Sequence, residues 1–166
     1  MKRTIVFRPE RCLMCLCCVL GCQMKALGVS DPRDLVSGQK PPQRLSLTLI
    51  GGTPRTSLCR HCVQAPCAEA CISGSMVRDE EASAVLHHPE TCVGCGTCQL
   101  VCPFNAISRS GENDGIAKCN LCPEESIPPC VGACLTGALV LGGRDHDAQA
   151  KKRKLAEEMT GDRKHG

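Results

Sequence analysis

The sequence predicts a small α+β fold of short antiparallel hairpins and short helices, assembled from two repeated units, one nested inside the other. Three observations carry that expectation. Cysteine accounts for 17 of the 166 residues. The cysteines fall into four groups, at 12, 15, 17, 18 and 22, at 59, 62, 67 and 71, at 92, 95, 98 and 102, and at 119, 122, 130 and 134. Around those groups lie only short strand-like runs. Because cysteine is itself counted in the 42% hydrophobic fraction, little aliphatic side chain remains for a core, and something other than ordinary packing must hold the chain together.

Taken in order, Thr4 to Phe7 reads as a strand ahead of the first group and Ala138 to Leu141 as a strand just after the fourth, placed to meet as a two-stranded cap. Residues 28–57 carry Gly28, Asp31-Pro32, Gly38, Pro41-Pro42, Gly51-Gly52 and Pro54 around one alternating stretch, Arg44 to Ile50. They read as an insertion loop with one half-buried strand, either a spacer or a partner-docking loop. Between the second and third groups, Met76 to Arg78 and Val85 to His88 are strand-like pieces around an acidic turn, which is a hairpin. That hairpin joins the second and third groups into an inner unit, residues 58–102, leaving residues 1–27 and 103–144 to form an outer unit. Residues 145–166, with Ala148 to Met159 rich in helix formers and poor in apolar residues, read as a polar helical or flexible tail.

The spacing within the groups carries the chemistry. Cys12-x2-Cys15-x2-Cys18-x3-Cys22 and Cys92-x2-Cys95-x2-Cys98-x3-Cys102, the latter followed by Pro103, match the bacterial ferredoxin run for a [4Fe-4S] cluster. The second and fourth groups, Cys59-x2-Cys62-x4-Cys67-x3-Cys71 and Cys119-x2-Cys122-x7-Cys130-x3-Cys134, are the same run with a wider centre. Three closely spaced cysteines let one loop wrap three irons of a cube with its backbone N–H groups turned towards sulfur. The fourth is expected to start a short helix that points away, and in two-cluster ferredoxins it ligates the other cluster. Four clusters therefore follow: one on Cys12, Cys15, Cys18 and Cys134, a second on Cys22, Cys119, Cys122 and Cys130, a third on Cys59, Cys62, Cys67 and Cys102, and a fourth on Cys71, Cys92, Cys95 and Cys98. Cys17 competes with Cys18 for one ligand position, and reads as a free thiol beside the cluster or as part of an unusual one. His61, inside the second loop, reads as a surface histidine, the alternative being a donor to a cluster sulfur. His87 and His88 are given no role.

Composition and charge narrow the rest. With no Trp or Tyr and only Phe7 and Phe104, there is no aromatic platform for stacking bases, so nucleic-acid binding is not expected. The first residues lack the apolar run of a signal peptide, and no stretch approaches the ~20 apolar residues of a membrane helix. A cytoplasmic location without membrane insertion is expected, and there an odd number of cysteines argues for metal over disulfides. A structural zinc protein is the rival class, but zinc knuckles usually stand a dozen or more residues apart, whereas three of these groups close within about a dozen residues. A cluster that binds substrate at an open iron would need a group with three cysteines, and all four groups are complete. No G-x-G-x-x-G, P-loop or nucleophile-base pairing is present, so no catalyst is expected. The chain is formally +3, yet four oxidised cubes with their thiolates would bring it to about −5.

Cys59-Arg-His-Cys-Val-Gln-Ala-Pro-Cys67 with Ala-Glu-Ala-Cys71, and Lys118-Cys-Asn-Leu-Cys122 with Pro129-Cys-Val-Gly-Ala-Cys134-Leu-Thr-Gly-Ala-Leu, extend the match beyond the cysteines. Over about residues 4 to 142 the chain resembles the four-cluster iron-sulfur electron-transfer subunits found beside molybdenum oxidoreductases, formate hydrogenlyase and carbon monoxide dehydrogenase. The short chain and Cys71-Ile-Ser-Gly-Ser-Met76 look most like the ferredoxin-like partner of carbon monoxide dehydrogenase, with the hydrogenase and formate hydrogenlyase types as the alternative. The resemblance implies an electron relay between a catalytic oxidoreductase subunit and an acceptor protein. Only Cys102 is followed by proline; Gln23, Ile72 and Leu135 stand at the equivalent places. Proline there shapes a turn and is not a ligand.

Overall fold

The computed structural model describes residues 3–36, 41–110 and 115–143. The tail expected over 145–166 lies outside the described residues. Among the described residues eight strands form four separate antiparallel pairs. Strand β1 (Arg3–Phe7) pairs with β8 (Leu139–Gly143), aligning Ile5 with Leu141, so the two ends of the described chain meet as the sequence suggested. Strands β4 (Met76–Asp79) and β5 (Ala84–His87) make the hairpin between the second and third cysteine groups, with Met76 opposite His87. A further hairpin, β6 (Ile107–Ser110) with β7 (Gly115–Lys118), joins the third group to the fourth.

Segment 28–57 departs from the expectation of a loop with one strand. Strand β2 (Leu45–Ile50) pairs along its whole length with β3 (Thr53–Leu58), and Leu45 lies opposite Leu58. The two strands turn at Gly51-Gly52, both with positive φ (56° and 76°), which suits a tight two-residue hairpin. Thr53-Pro-Arg-Thr-Ser-Leu58 carries no alternating apolar pattern, so the sequence does not announce this second strand. Leu45 and Leu58 are 1% and 3% exposed, so the base of the hairpin is core rather than spacer.

Four helices follow the cysteine loops: α1 (Cys17–Leu27), α2 (Pro66–Glu69), α3 (Thr97–Leu100) and α4 (Pro129–Gly132). Each begins before the third cysteine of its group, not at the fourth as expected. Pro66 and Pro129 start α2 and α4, where a missing N–H costs nothing. In the other two groups a residue in left-handed conformation, Leu16 or Gly96, turns the loop into the helix. Consequently Cys22 lies within α1, whereas Cys71, Cys102 and Cys134 lie just past a helix end. Helix α1 closes at Gly28 (φ 69°), whose N–H donates to the Lys25 carbonyl while Val29 N–H reaches Met24, a Schellman-type stop.

The helices pack in pairs, α1 on α4 and α2 on α3. Gly21 lets α1 approach α4 closely, since a Cβ there would sit at a tight 3.2 Å from the Pro129 carbonyl oxygen and 3.3 Å from Ala133 Cβ. Two small cores result. One gathers Ile5, Leu45, Leu58, Leu121 and Leu139 around Cys18, Cys119 and Cys130. The other gathers Met76, Val85, Ile107 and Ile116 around Cys98. Cysteine is thus an integral part of both cores. Among the described residues, no helix is long and apolar enough to cross a membrane.

Candidate metal centres

The cysteines meet across groups. Cys59, Cys62 and Cys67 of the second group share one pocket with Cys102 of the third, lined also by Pro66, Val85, Ile107 and Phe104. The charge of Cys102 acts on Cys67 together with that of Cys59. The reciprocal crossing brings Cys71 to the third group, where it acts on both Cys98 and Cys95, and Cys92 acts on Cys98 as well. In the outer groups Cys134 and Cys12 both act on Cys18. Cys15, exposed, lies beside Cys17. Cys22 meets Cys119 and Cys122, and Cys130 meets all three.

Couplings also run between these sets. Cys18 acts weakly on Cys22 and on Cys130, whereas Cys59 acts on Cys119 more than Cys122 does, and Cys67 acts on Cys98 more than Cys71 or Cys92 does. The order is linear, from the surroundings of Cys12 through those of Cys22 and Cys59 to those of Cys92. Cys15 and Cys95, at the two extremes, are the exposed cysteines among the described residues.

Burial shapes the thiols. It pushes Cys22 and Cys130 up to about 12 and Cys18 and Cys119 up to about 11, with neighbouring thiols adding to the rise. Such groups stay protonated near neutral pH unless a cation takes the proton's place, so metal loading must expel protons. Cys71 goes the other way. Burial acts to raise it but is outweighed by hydrogen bonds from the Ser75 hydroxyl, the Met76 N–H and Ser73, which bring it down to about 6. Backbone N–H groups point at sulfur in three further places: Leu139 at Cys134 (3.3 Å), His61 at Cys59 (3.5 Å) and Leu121 at Cys119 (3.4 Å). Among the described residues no three of His, Cys, Asp and Glu stand close enough to share a single metal ion. A cube asks for something else, because each of its four irons takes one thiolate.

The sequence pattern of the 4Fe-4S dicluster domain matches residues 53–144, more than half of the chain. The chain belongs to the 4Fe-4S dicluster domain family. Among curated proteins it is similar to "Iron-sulfur protein" of Rhodospirillum rubrum, 31% identical over 97% of this chain and 93% of that one. It is also 30% identical to "Electron transport protein HydN" of Escherichia coli K12, over 93% of this chain and 97% of that one. The thiosulfate reductase electron transfer subunit PhsB of Salmonella typhi is 30% identical over 82% of this chain and 73% of its own.

The residues fit the cofactor of the dicluster family. Soft thiolates are the proper donors for iron-sulfur clusters, and N–H groups turned towards sulfur are their usual support. When bound, [4Fe-4S] clusters supply one-electron storage without bond-making.

Several supporting side chains were not legible as such. His61 is 4% exposed, which overturns its reading as a surface residue. Its Nδ1 accepts the Val85 N–H at 3.0 Å, so the ring proton sits on Nε2. Arg78 donates to the carbonyls of His61 (2.8 Å) and Cys62 (2.7 Å), fastening the second loop to β4. Lys118 is 5% exposed and donates to the Val85 and Cys119 carbonyls, so Val85 is held on both its polar sides. Nothing in the run Lys118-Cys-Asn-Leu-Cys122 itself signals that this lysine is buried. Cys17 is half-exposed at the start of α1, and its thiol lies 3.8 Å from the Cys15 carbonyl oxygen.

Proposed function

We propose that this chain is a one-electron relay holding four [4Fe-4S] clusters in series, passing electrons between a catalytic oxidoreductase subunit and an acceptor protein. The clusters are carried by Cys12, Cys15, Cys18 and Cys134; by Cys22, Cys119, Cys122 and Cys130; by Cys59, Cys62, Cys67 and Cys102; and by Cys71, Cys92, Cys95 and Cys98. The observation that supports this most is the exchange of fourth cysteines: the Cys59, Cys62 and Cys67 pocket is completed by Cys102, and Cys71 acts on the thiols of the third group. An inner unit of residues 58–102 nested in an outer unit of 1–27 and 103–144 is the domain arrangement that goes with it. The meeting of β1 with β8 supports that arrangement.

The linear order of the thiol couplings supports a wire whose ends are the first and last of those clusters. Leu13, Leu16 and Leu135 are exposed near one end, and Ile72, Val93 and Leu100 near the other. These are the surfaces on which partners dock, in the cytoplasm and without insertion into a membrane. Carbon monoxide dehydrogenase is the catalytic partner favoured by the Cys71 to Met76 match. The names of the relatives, an electron transport protein and a thiosulfate reductase electron transfer subunit, support an oxidoreductase partner more broadly; a hydrogenase, formate hydrogenlyase or molybdenum oxidoreductase is the alternative.

Anaerobically prepared protein is expected to hold about sixteen irons per chain, with visible absorption that bleaches on reduction. Far fewer irons, or a colourless zinc protein, would refute the relay. Identification of the proteins that co-purify with it then decides between partners, and a hydrogenase or molybdenum subunit in place of the dehydrogenase would remove the carbon monoxide assignment alone.

A further inference from the structure

The two end cages proposed above are built as twins. One combines Cys92, Cys95 and Cys98 with the run Cys71-Ile-Ser-Gly-Ser-Met76; the other combines Cys12, Cys15 and Cys18 with Cys134-Leu-Thr-Gly-Ala-Leu139. Their backbones match closely. Gly74 and Gly137 have φ of 68° and 64°, and each donates its N–H to the carbonyl of the cysteine three residues before it, at 3.2 Å in both cases. Met76 N–H lies 3.4 Å from Cys71 Sγ, and Leu139 N–H lies 3.3 Å from Cys134 Sγ. Positive φ recurs at Gly94 and Gly96 in one loop and at Met14 and Leu16 in the other.

The side chains break this symmetry at two places. Ser75, 2% exposed, sets its Oγ 3.4 Å from Cys71 Sγ, and its twin position holds Ala138, which has no donor. The Ser75 carbonyl accepts the His88 N–H at 2.8 Å, so its backbone is fixed to the end of the β4–β5 hairpin. Thr97 sets its Oγ1 3.4 Å from Cys95 Sγ, and its twin position holds Cys17, whose thiol is turned to the Cys15 carbonyl. The remaining hydroxyls are matched and farther off, Ser73 at 3.7 Å from Cys71 and Thr136 at 3.9 Å from Cys134. One cage therefore receives two close hydroxyl groups that the other lacks.

A hydrogen bond to a ligand sulfur stabilises the reduced cluster, which is more negative, over the oxidised one, and so raises the potential. We infer that Ser75 and Thr97 give the relay its polarity, holding the cluster on Cys71, Cys92, Cys95 and Cys98 at a higher reduction potential than its twin on Cys12, Cys15, Cys18 and Cys134. This rests on the four-cluster reading and extends it to direction. The electron comes from the reduced catalytic partner, enters at the Cys12 end, and leaves from the Cys95 end to an oxidised acceptor protein. One cluster is oxidised as the other is reduced, and no bond or proton moves.

The test is a redox titration of the full chain, loaded anaerobically and followed by the spin-resonance signals of its reduced clusters. Ser75→Ala and Thr97→Val are each expected to keep the iron content and to lower one midpoint only. The expected shift is about tenfold in the reduced-to-oxidised ratio per hydroxyl, or ~59 mV for one electron. The reverse grafts, Ala138→Ser and Cys17→Thr, are expected to raise the midpoint of a different signal. The inference is overturned if fully loaded Ser75→Ala/Thr97→Val protein retains all its midpoints, or if removal and graft move the same signal. Should Ser75→Ala lose iron, the Ala138→Ser graft decides alone, and no shift there overturns the inference. Failure of the four-cluster reading looks different, because iron would already fall well short of about sixteen in the unaltered chain.

Discussion

Replacing Lys118 by methionine removes a buried cation while keeping the length of the side chain. In the native chain Nζ donates to two backbone carbonyls, Val85 on β5 and Cys119 in the fourth group, and its charge acts on Cys67 and Cys119. Among the described residues no carboxylate forms an ion pair with it; its anionic neighbours are the thiolates proposed for the two middle clusters. Each charged hydrogen bond contributes about 1.5–3 kcal/mol, so losing both destabilises the fold by roughly 3–6 kcal/mol. The electrostatic part is separable. A unit charge acts with about 4 kcal/mol at 4 Å in an effective dielectric of about 20, falling inversely with distance, so two to three times that separation leaves about 1–2 kcal/mol. Converted at ~59 mV per tenfold, that lowers the two middle potentials by roughly 50–90 mV. Anaerobic redox titration of Lys118→Met beside Lys118→Arg measures it. Two midpoints should fall in the methionine variant and stay near native in the arginine one. Fully loaded methionine protein with unmoved midpoints, or equal shifts in both variants, would refute the charge argument.

Other expectations follow from the packing. Leu45→Ala empties a site 1% exposed in the larger core and should cost about 2–5 kcal/mol, read as a fall in the urea midpoint of about 1–2 M; a change below about 0.5 kcal/mol would mean the β2–β3 hairpin is not part of that core. Gly21→Val cannot keep α1 on α4, since a Cβ already meets Pro129 and Ala133 at 3.2 and 3.3 Å. It should separate Cys22 from Cys119, Cys122 and Cys130, with loss of about four irons on iron analysis; Gly21→Ala should lose fewer, and full iron in the valine variant would contradict the crossing. Cys17→Ala should leave the iron count unchanged, because that thiol turns to a backbone carbonyl; a loss of about four irons would make it a ligand.

How much of this was legible beforehand depended on how local the signal was. Cysteine spacing is covalent in origin, so it can be read directly, and so can strand runs such as Thr4 to Phe7 whose apolar residues announce themselves. Strand β3 could not be, because Thr53 to Leu58 owes its conformation to the Gly51-Gly52 turn and to pairing with β2 rather than to its own pattern. The helices began earlier than expected for a related reason. Their start is set by Pro66, Pro129 and the left-handed residues Leu16 and Gly96, and the cysteine that follows is carried along. The burial of His61 and Lys118 is not legible in the sequence because it depends on Val85, which is 24 residues from one and 33 from the other.

The same contrast explains why the first cysteine loop tolerates what the third avoids. Gly94 and Gly96 take left-handed backbone without strain, whereas Met14 (φ 56°) and Leu16 (φ 61°) adopt it at a cost of about 1–2 kcal/mol each. A local preference has been overridden, and the gain must lie elsewhere. Leu16 is 49% exposed and its neighbour Leu13 75%, so packing within the chain does little to repay the strain at Leu16, while Met14 is half-buried. What the strained loop does achieve is the approach of Cys12 and Cys18 to Cys134 across the whole length of the sequence. Metal ligation is strong enough to hold such a conformation, and an apolar rim around an exposed thiol is what an electron-transfer partner would cover. Left-handed non-glycine backbone recurs at His61, Leu121 and Cys122 in the second and fourth loops, so it marks the cysteine loops in general, and the exposed Leu13 and Leu16 are the apolar rim that the proposed relay would offer a partner at the Cys12 end.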